Sequence, residues 1–136
     1  MSEPVWISVD LAIAIHEEQL AKFGGPPSIR AQQMLESALD RPVNKWNYGE
    51  SDLAALAASY AFGIARNHPF VDGNKRAAFL CMVTFLGLNG IEFIADEAEA
   101  AVIIQDLAAG ELDEGGLARW IKDNWPETAA GPTELG

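Results

Sequence analysis

The sequence predicts an all-α fold, a compact bundle of about six helices around a central buried helix. Apolar residues recur at helical spacings of three and four, and capping or helix-breaking residues separate the periodic segments. The chain has 136 residues, 49% of them hydrophobic and 21% charged, which suits one domain with a substantial apolar core. We expect a single domain over residues 1–125 and a flexible tail over 126–136, where small and helix-breaking residues gather.

The first two predicted helices are defined by residues that start and stop them. Ser8 can cap a helix that runs to about Phe23, where a Gly-Gly-Pro-Pro run cannot continue the hydrogen-bond ladder. Ser28 can cap a second helix through Leu39. The Arg-Pro pair that ends at Pro42 is expected to terminate it, because proline disfavours helical angles in the residue before it.

The third and fourth predicted helices carry the most apolar segments of the chain. Ser51 can cap a third helix, whose apolar residues between Leu53 and Ile64 follow the spacing of one helix face. The fourth helix runs from about Asn74 to Asn89 and closes at Gly90. Because it is apolar nearly all the way round, we expect it to be the central helix.

Two further helices complete the bundle. Asp96 and Glu99 resemble a capping box at the start of the fifth helix, and the last helix spans about Asp113 to Asn124. Two segments do not fit the helical pattern. Residues 43–50 mix aromatic and turn residues between two helices, and residues 91–94 can be extended.

Charge excludes some classes of function. Nine Lys and Arg against 20 Asp and Glu give a net charge of −11, so we expect no direct binding to nucleic acid. The acidic excess lies in residues 91–136, whereas residues 41–76 carry more basic than acidic side chains. A small anionic ligand therefore suits the central segment.

Cysteine content and hydropathy limit the compartment. The single cysteine, Cys81, excludes an intrachain disulfide framework and a multi-cysteine zinc site. The longest nearly uncharged run has about 15 residues, short of the roughly 20 that cross a bilayer. Glu3 and Pro4 stand where a secretory signal has basic residues. We expect a cytoplasmic protein without membrane contact.

The third and fourth helices are joined by the sequence His-Pro-Phe-Val-Asp-Gly-Asn-Lys-Arg, residues 68–76. Free backbone N–H groups at a helix N-terminus suit an anion such as phosphate. Gly73 allows close backbone approach, and the side chain of Asn74 adds donors. Lys75 and Arg76 lie in the first turn, where cations oppose the helix dipole and cost about 0.3–1 kcal/mol each unless an anion binds.

The remaining residues of this segment suit proton and metal chemistry. A carboxylate beside phosphates, here Asp72, is a typical ligand for Mg²⁺, and His68 can take a proton from an attacking hydroxyl. Each also has an ordinary structural interpretation: Asp72 as a helix cap, His68 as a hydrogen-bonding residue at a helix end and Phe70 as a core residue. We expect His16 to be an ordinary polar residue of an amphipathic helix without a catalytic role, and Cys81 to pack as a small apolar residue.

Residues 68–76 resemble the Fic motif, His-Pro-Phe-x-(Asp/Glu)-Gly-Asn-Gly-Arg. With Lys75 in place of the second glycine, the segment is most similar to the Doc (death on curing) branch of the Fic/Doc superfamily. The resemblance extends over about residues 5–125 and includes the Leu35–Leu39 segment before the Arg-Pro pair. It implies a compact helical toxin of a toxin–antitoxin pair.

The resemblance also implies an activity. Fic enzymes usually transfer AMP from ATP to a target hydroxyl, whereas Doc-type members transfer the γ-phosphate to a threonine of elongation factor Tu and so stop translation. ATP and Mg²⁺ are then required. The resemblance assigns these roles: general base, His68; magnesium ligand, Asp72; anion-binding backbone, Gly73 and Asn74; phosphate clamp, Lys75 and Arg76; loop anchor, Phe70.

The family keeps a target-docking flap where this chain has residues 43–50. The resemblance therefore makes Lys45, Trp46, Asn47 and Tyr48 candidate target contacts. From the residues alone, Trp46 and Tyr48 either form an exposed contact loop or pack on the core.

Two departures from the Fic pattern favour the kinase. Phe79 stands where adenylylating Fic proteins carry a second arginine, and Lys75 replaces a glycine. Gly73, however, is Fic-like, since the best-known Doc pattern has alanine there. Adenylyl transfer remains an alternative, as does a non-catalytic antitoxin-binding module. The sequence has no Ser/Thr-x-x-x-Glu-Gly/Asn inhibitory motif, so we expect a cognate antitoxin to inhibit the enzyme in trans.

Overall fold

The computed structural model describes residues 2–25 and 29–127, and over these ranges the chain forms helices and no strand. The helices are α1 (Val9–Phe23), α2 (Gln32–Asn47), α3 (Leu53–Asn67), α4 (Asn74–Leu88), α5 (Glu97–Ala109) and α6 (Glu114–Asp123). The all-α prediction is confirmed. The predicted cap Ser28 and most of the predicted tail, residues 128–136, lie outside the described residues.

Local capping fixes where most of these helices begin. The predicted caps of α1 and α5 accept hydrogen bonds from first-turn N–H groups: Ser8 from Leu11 and Asp96 from Glu99. Asp113, predicted only as the start of the last helix, caps α6 by accepting from the N–H of Gly116. The predicted cap of α3 is wrong by one residue. Asp52, not Ser51, accepts from the N–H of Ala54 at 3.0 Å, because the helix begins one residue later than Ser51 requires.

The predicted end of α2 is wrong. Pro42 lies inside the helix and is buried, and the helix continues to Asn47. An interior proline normally costs about 3 kcal/mol, and packing against α3 offsets that cost. Gly63 of α3 approaches α2 so closely that a Cβ there would lie 3.1 Å from the Cα of Ala38. The predicted loop over residues 43–50 is therefore mostly the last turn of α2.

The central helix is α3 rather than the predicted α4. It packs against α2, α4, α5 and α6, and ten of its residues are buried. Its Tyr60 hydroxyl accepts a hydrogen bond from the N–H of Ile7 at 2.9 Å, and burial raises the pKa of this phenol above its usual value. The small alanine and glycine residues of α3 allow the neighbouring helices to approach it closely on several sides. The hydrophobicity of each helix alone does not predict which one is central.

Aromatic side chains close one side of the core. Trp6 stacks on Phe85 with 5.8 Å between ring centroids and meets Trp46 edge-on at 6.5 Å. This answers the open alternative for the predicted flap, because Trp46 packs on the core whereas Tyr48 is 92% exposed.

Other apolar segments behave as their sequence suggests. Cys81 is fully buried, and burial raises the pKa of its thiol to about 12, so it packs as a small apolar residue as predicted. Residues 91–94 lie outside the helices and alternate between buried and exposed. Over the described ranges, no helix is long and apolar enough to cross a membrane.

Candidate active site

The segment joining α3 to α4, residues 68–73, is the motif loop. Two left-handed residues define its ends: His68 (φ 49°, ψ 56°) terminates α3, and Gly73 (φ 78°, ψ 19°) precedes α4. A left-handed conformation is unfavourable for a residue with a Cβ. His68 therefore adopts it because surrounding contacts hold the loop.

The motif residues line one cavity of about 670 Å³. The motif side contributes His68, Val71, Asp72, Gly73, Asn74, Lys75 and Arg76. The opposite side includes Gln19 and Phe23 of α1 and Glu97 and Gln105 of α5. The structure thus brings together every predicted site residue of the motif except Phe70, which is 1% exposed and belongs to the core.

The N-terminus of α4 has no side-chain cap. The carbonyl of Gly73 accepts from the N–H of Ala77 at 2.9 Å, whereas the N–H groups of the first turn have no acceptor within the helix. Lys75 and Arg76 are exposed in this turn, and the Arg76 guanidinium lies 4.6 Å from the ring centroid of Phe23. Free donors and positive charge therefore meet at the cavity.

Asn74 has a different role from the predicted anion donor. Its Oδ1 accepts from the N–H of Phe70, and its Nδ2 donates to the carbonyl of Phe70, both at 3.0 Å. The side chain is buried and closes the motif loop on itself. Only the backbone N–H of Asn74, in the first turn of α4, remains for an anion.

His68 is exposed, and its Nδ1 lies 3.4 Å from Asn74 Nδ2. The bonds of Asn74 to Phe70 fix that nitrogen as a donor, so the contact requires a lone pair on Nδ1 and a proton on Nε2. At 3.4 Å the contact is weak, and the ring can exchange it for a target hydroxyl.

Arg30 stabilises the His68 end of the motif loop, and the sequence analysis did not identify it. Its Nε donates to the carbonyl of His68 at 2.7 Å, and its Nη2 donates to the carbonyl of Asn67 at 2.9 Å. The N–H groups of Arg30 and Ala31 both donate to the carbonyl of Pro69. A cation at the C-terminus of α3 also complements the helix dipole.

His16 stabilises the other end. It is 2% exposed, and its Nε2 lies 2.6 Å from the carbonyl oxygen of Asp72. Its ring stacks on Phe70 with 3.8 Å between centroids. The one available signal was a polar residue on the inward face of α1, four residues after the buried Ala12.

Asp72 is exposed at the cavity, and Glu97 lines the opposite side. Within the described ranges no three His, Cys, Asp or Glu residues are grouped to hold a metal ion. An all-protein cage is thus not formed there. A single carboxylate beside a phosphate-binding helix end instead fits Mg²⁺, which keeps several waters and is commonly bound by one or two carboxylates together with substrate phosphates.

The predicted flap is not a free loop. Lys45, Trp46 and Asn47 belong to the last turn of α2, and Tyr48 follows it. A second cavity of about 760 Å³ lies here, lined by Lys45 and Tyr48 among others. Its three cations are paired: Arg41 and Lys45 with Glu114 of α6, the latter at 3.3 Å, and Lys122 with Asp52 at 2.8 Å.

The sequence of this chain is similar to that of known proteins over most of its length. The sequence model of the Fic/DOC family matches residues 6–86. A protein named protein kinase Doc, from Escherichia phage P1, is 32% identical over 117 residues, which cover 85% of this chain and 92% of that protein. A protein named toxin Doc, from Mycolicibacterium smegmatis, is 40% identical over 101 residues, covering 71% and 77%. The chain therefore belongs to the Fic/DOC family, as the motif predicted.

Proposed function

We propose that this protein is the toxin of a toxin–antitoxin pair and transfers the γ-phosphate of ATP to a threonine hydroxyl of elongation factor Tu in the cytoplasm. One observation carries the proposal: His68 lines the same cavity as the uncapped N-terminus of α4 with its two cations. A base and a phosphate site are thus adjacent. The relative named protein kinase Doc supports a kinase, and the relative named toxin Doc supports a toxin.

The phosphate chain of ATP binds at the first turn of α4. Backbone N–H groups of residues 74–76 donate to phosphate oxygens, and Lys75 and Arg76 neutralise their charge. Asp72 provides the protein ligand to Mg²⁺, which supplies charge neutralisation at the phosphates when bound. The dipole of α4 favours the same negative charge.

His68 acts as the general base. It accepts the proton of the target hydroxyl, whose oxygen forms a bond to the γ-phosphorus while the bond from that phosphorus to the β–γ bridging oxygen breaks. ADP leaves, and the phosphoryl group remains on the target. In the tautomer that contacts Asn74 the free lone pair is on Nδ1, so proton uptake at that atom replaces the 3.4 Å contact.

The kinase is favoured over adenylyl transfer by two side chains at the cavity. Lys75 stands in the position of the second Fic glycine, and Phe79 lines the cavity where a second arginine would add positive charge. An apolar ring gives no charge-assisted hydrogen bond to a second phosphate group. Adenylyl transfer is the alternative outcome of the test below.

The test uses the purified chain with Mg²⁺, elongation factor Tu and ATP labelled at the γ- or α-phosphorus. We expect label on the target from γ-labelled ATP only, with the threonine identified by mass spectrometry and no label from His68→Ala. Label from α-labelled ATP identifies an adenylyltransferase. No label from either contradicts transferase activity and leaves the non-catalytic antitoxin-binding module.

Inhibition is proposed to come from a separate antitoxin chain. The relative named toxin Doc supports a toxin role, and the sequence lacks the internal inhibitory motif of its family. Expression of this chain alone is compared with co-expression of the product of the adjacent reading frame, with His68→Ala as the control. We expect growth arrest only from the active chain alone, and equal growth in all cultures contradicts the toxin role.

A further inference from the structure

The imidazole of His16 and the backbone of the motif loop are joined by a hydrogen bond. His16 lies on the inward face of α1 and is 2% exposed, and its Nε2 is 2.6 Å from the carbonyl oxygen of Asp72. A carbonyl oxygen can only accept, so the proton of this hydrogen bond belongs to Nε2. His16 is therefore the donor.

This hydrogen bond also fixes the direction of the neighbouring N–H group. In a planar trans peptide the C=O of one residue and the N–H of the next point in opposite directions. Because the Asp72 oxygen is directed at His16, the N–H of Gly73 is directed away from that imidazole, and Gly73 itself lines the cavity. No acceptor within residues 2–25 and 29–127 bonds to this N–H.

The imidazole is itself held in place by packing. Its ring lies 3.8 Å from the ring of Phe70 at an angle of 6° between planes, and Asn74 fixes the backbone of Phe70. At the ring edge, a Cβ added to Gly73 would lie 3.4 Å from His16 Nε2. The donor therefore has little freedom to move relative to the loop.

We propose that His16 is a positioning residue that directs the N–H of Gly73 at a bound phosphate. It touches the backbone of the motif loop and not the substrate. The inference deepens the proposed function, on which it rests for the identity of the anion as the phosphate chain of a nucleotide.

The test follows the Gly73 amide by ¹H–¹⁵N NMR while inorganic pyrophosphate is added to the full chain. His16→Gln keeps a side-chain donor near the position of Nε2, and His16→Phe keeps an aromatic ring on Phe70 but removes the donor. We expect the Gly73 resonance to shift on titration in the wild type and in His16→Gln. In His16→Phe we expect an affinity at least about tenfold weaker, the effect of losing one hydrogen bond to a charged group.

Folding of each variant is checked by circular dichroism and thermal unfolding. If His16→Phe does not fold, His16→Asn replaces it, because its amide is too short to reach the Asp72 oxygen. A folded variant without the donor that binds pyrophosphate with wild-type affinity and the same Gly73 shift overturns the positioning role, as does a wild-type Gly73 resonance that does not respond.

The experiments distinguish a failure of the proposed function from a failure of this inference. If the Gly73 resonance of the wild type responds to pyrophosphate but the protein transfers no phosphate from ATP, the positioning role stands and the kinase does not. If the wild type does transfer phosphate, we expect the donor-free variant to raise the KM for ATP more than it lowers kcat. His16→Gln should keep the KM close to that of the wild type.

Discussion

The N-termini of α6 and α4 carry first-turn charges of opposite sign. At α6, the carboxylate of Asp113 caps the helix, and Glu114 in the first turn pairs with Arg41 and Lys45 of α2. At α4, Gly73 provides no cap, and the first turn carries Lys75 and Arg76.

This difference separates structural from functional use of the same helix feature. At α6 the acidic residues complement the helix dipole, and the protein's own cations complete the arrangement, so that end stabilises the fold. At α4 the charges oppose the dipole and the donors stay free, so an external anion would complete that end. We therefore expect substitutions at the α6 end to change the stability of the fold, and substitutions at the α4 end to change the binding of an anion.

The largest expected effect is the loss of activity without loss of stability at the motif loop. His68→Ala removes the general base, which contributes about 10²–10⁴-fold to the rate, while the exposed side chain contributes little to the core. Phosphate transfer from γ-labelled ATP measures the activity, and the midpoint of thermal unfolding measures the stability.

His68→Asn is the matched variant, because asparagine tolerates the left-handed backbone at this position and cannot accept a proton as a base. We expect it to be as inactive as the alanine variant and at least as stable. A wild-type rate in either variant contradicts the assignment of His68.

The helix N-termini show which features the sequence encodes locally. Ser8 and Asp96 cap their helices through hydrogen bonds to residues three positions away, so a short window of sequence was sufficient to predict them. Asp113 caps α6 over the same spacing, although the sequence was used there only to predict where the helix starts. The unfavourable cations at Lys75 and Arg76 were visible in the same way.

The features that sequence reasoning missed depend on contacts between distant segments. The helix α2 continues through Pro42 because α2 packs closely on α3 at Gly63. The residue pattern within α2 carries no information about that contact. His16 bonds to the carbonyl of Asp72, 56 positions away. Arg30 bonds to the carbonyl of His68. Both bond to backbone oxygens, which every residue has, so no motif identifies their partners.

The second prediction tests whether the α4 end binds metal with its nucleotide. Asp72→Asn removes the negative charge at constant shape, and we expect the affinity for ATP in Mg²⁺ to fall about 10–100-fold. In excess EDTA the two proteins should bind ATP equally or the variant slightly better, since a like charge is gone. Isothermal titration calorimetry under both conditions measures the difference.

Asp113→Asn at α6 is the control, because asparagine caps a helix about as well as aspartate. We expect neither ATP affinity nor stability to change appreciably in this variant. An Asp72→Asn variant with unchanged affinity in Mg²⁺ would remove the support for a magnesium ligand at this position.

The third prediction tests the structural end of the comparison. Glu114→Gln removes the ion pairs to Arg41 and Lys45, and the Glu114 side chain is only 19% exposed. Because both cations are more exposed and screened by water, we expect a loss of about 1–2 kcal/mol in the free energy of unfolding. Urea denaturation measures it. Phosphate transfer should stay at the wild-type rate, and unchanged stability would show that these pairs contribute nothing.

The smallest expected effect has the opposite sign. Lys75→Gln removes one cation that opposes the dipole of α4. Like Glu114→Gln, it replaces a charged first-turn residue with glutamine, and lysine, glutamine and glutamate have similar helix propensities, so the two substitutions can be compared directly. We expect the free energy of unfolding without ligand to rise by about 0.3–1 kcal/mol at low salt. The gain should shrink at 1 M salt, where the Debye length falls to about 3 Å. The affinity for pyrophosphate should fall in the same variant, because the removed charge is one that the anion would neutralise. A Lys75→Gln protein that is less stable than the wild type in urea denaturation, at low salt and without ligand, would mean that Lys75 serves the fold as Glu114 does, and the contrast between the two helix ends would not hold.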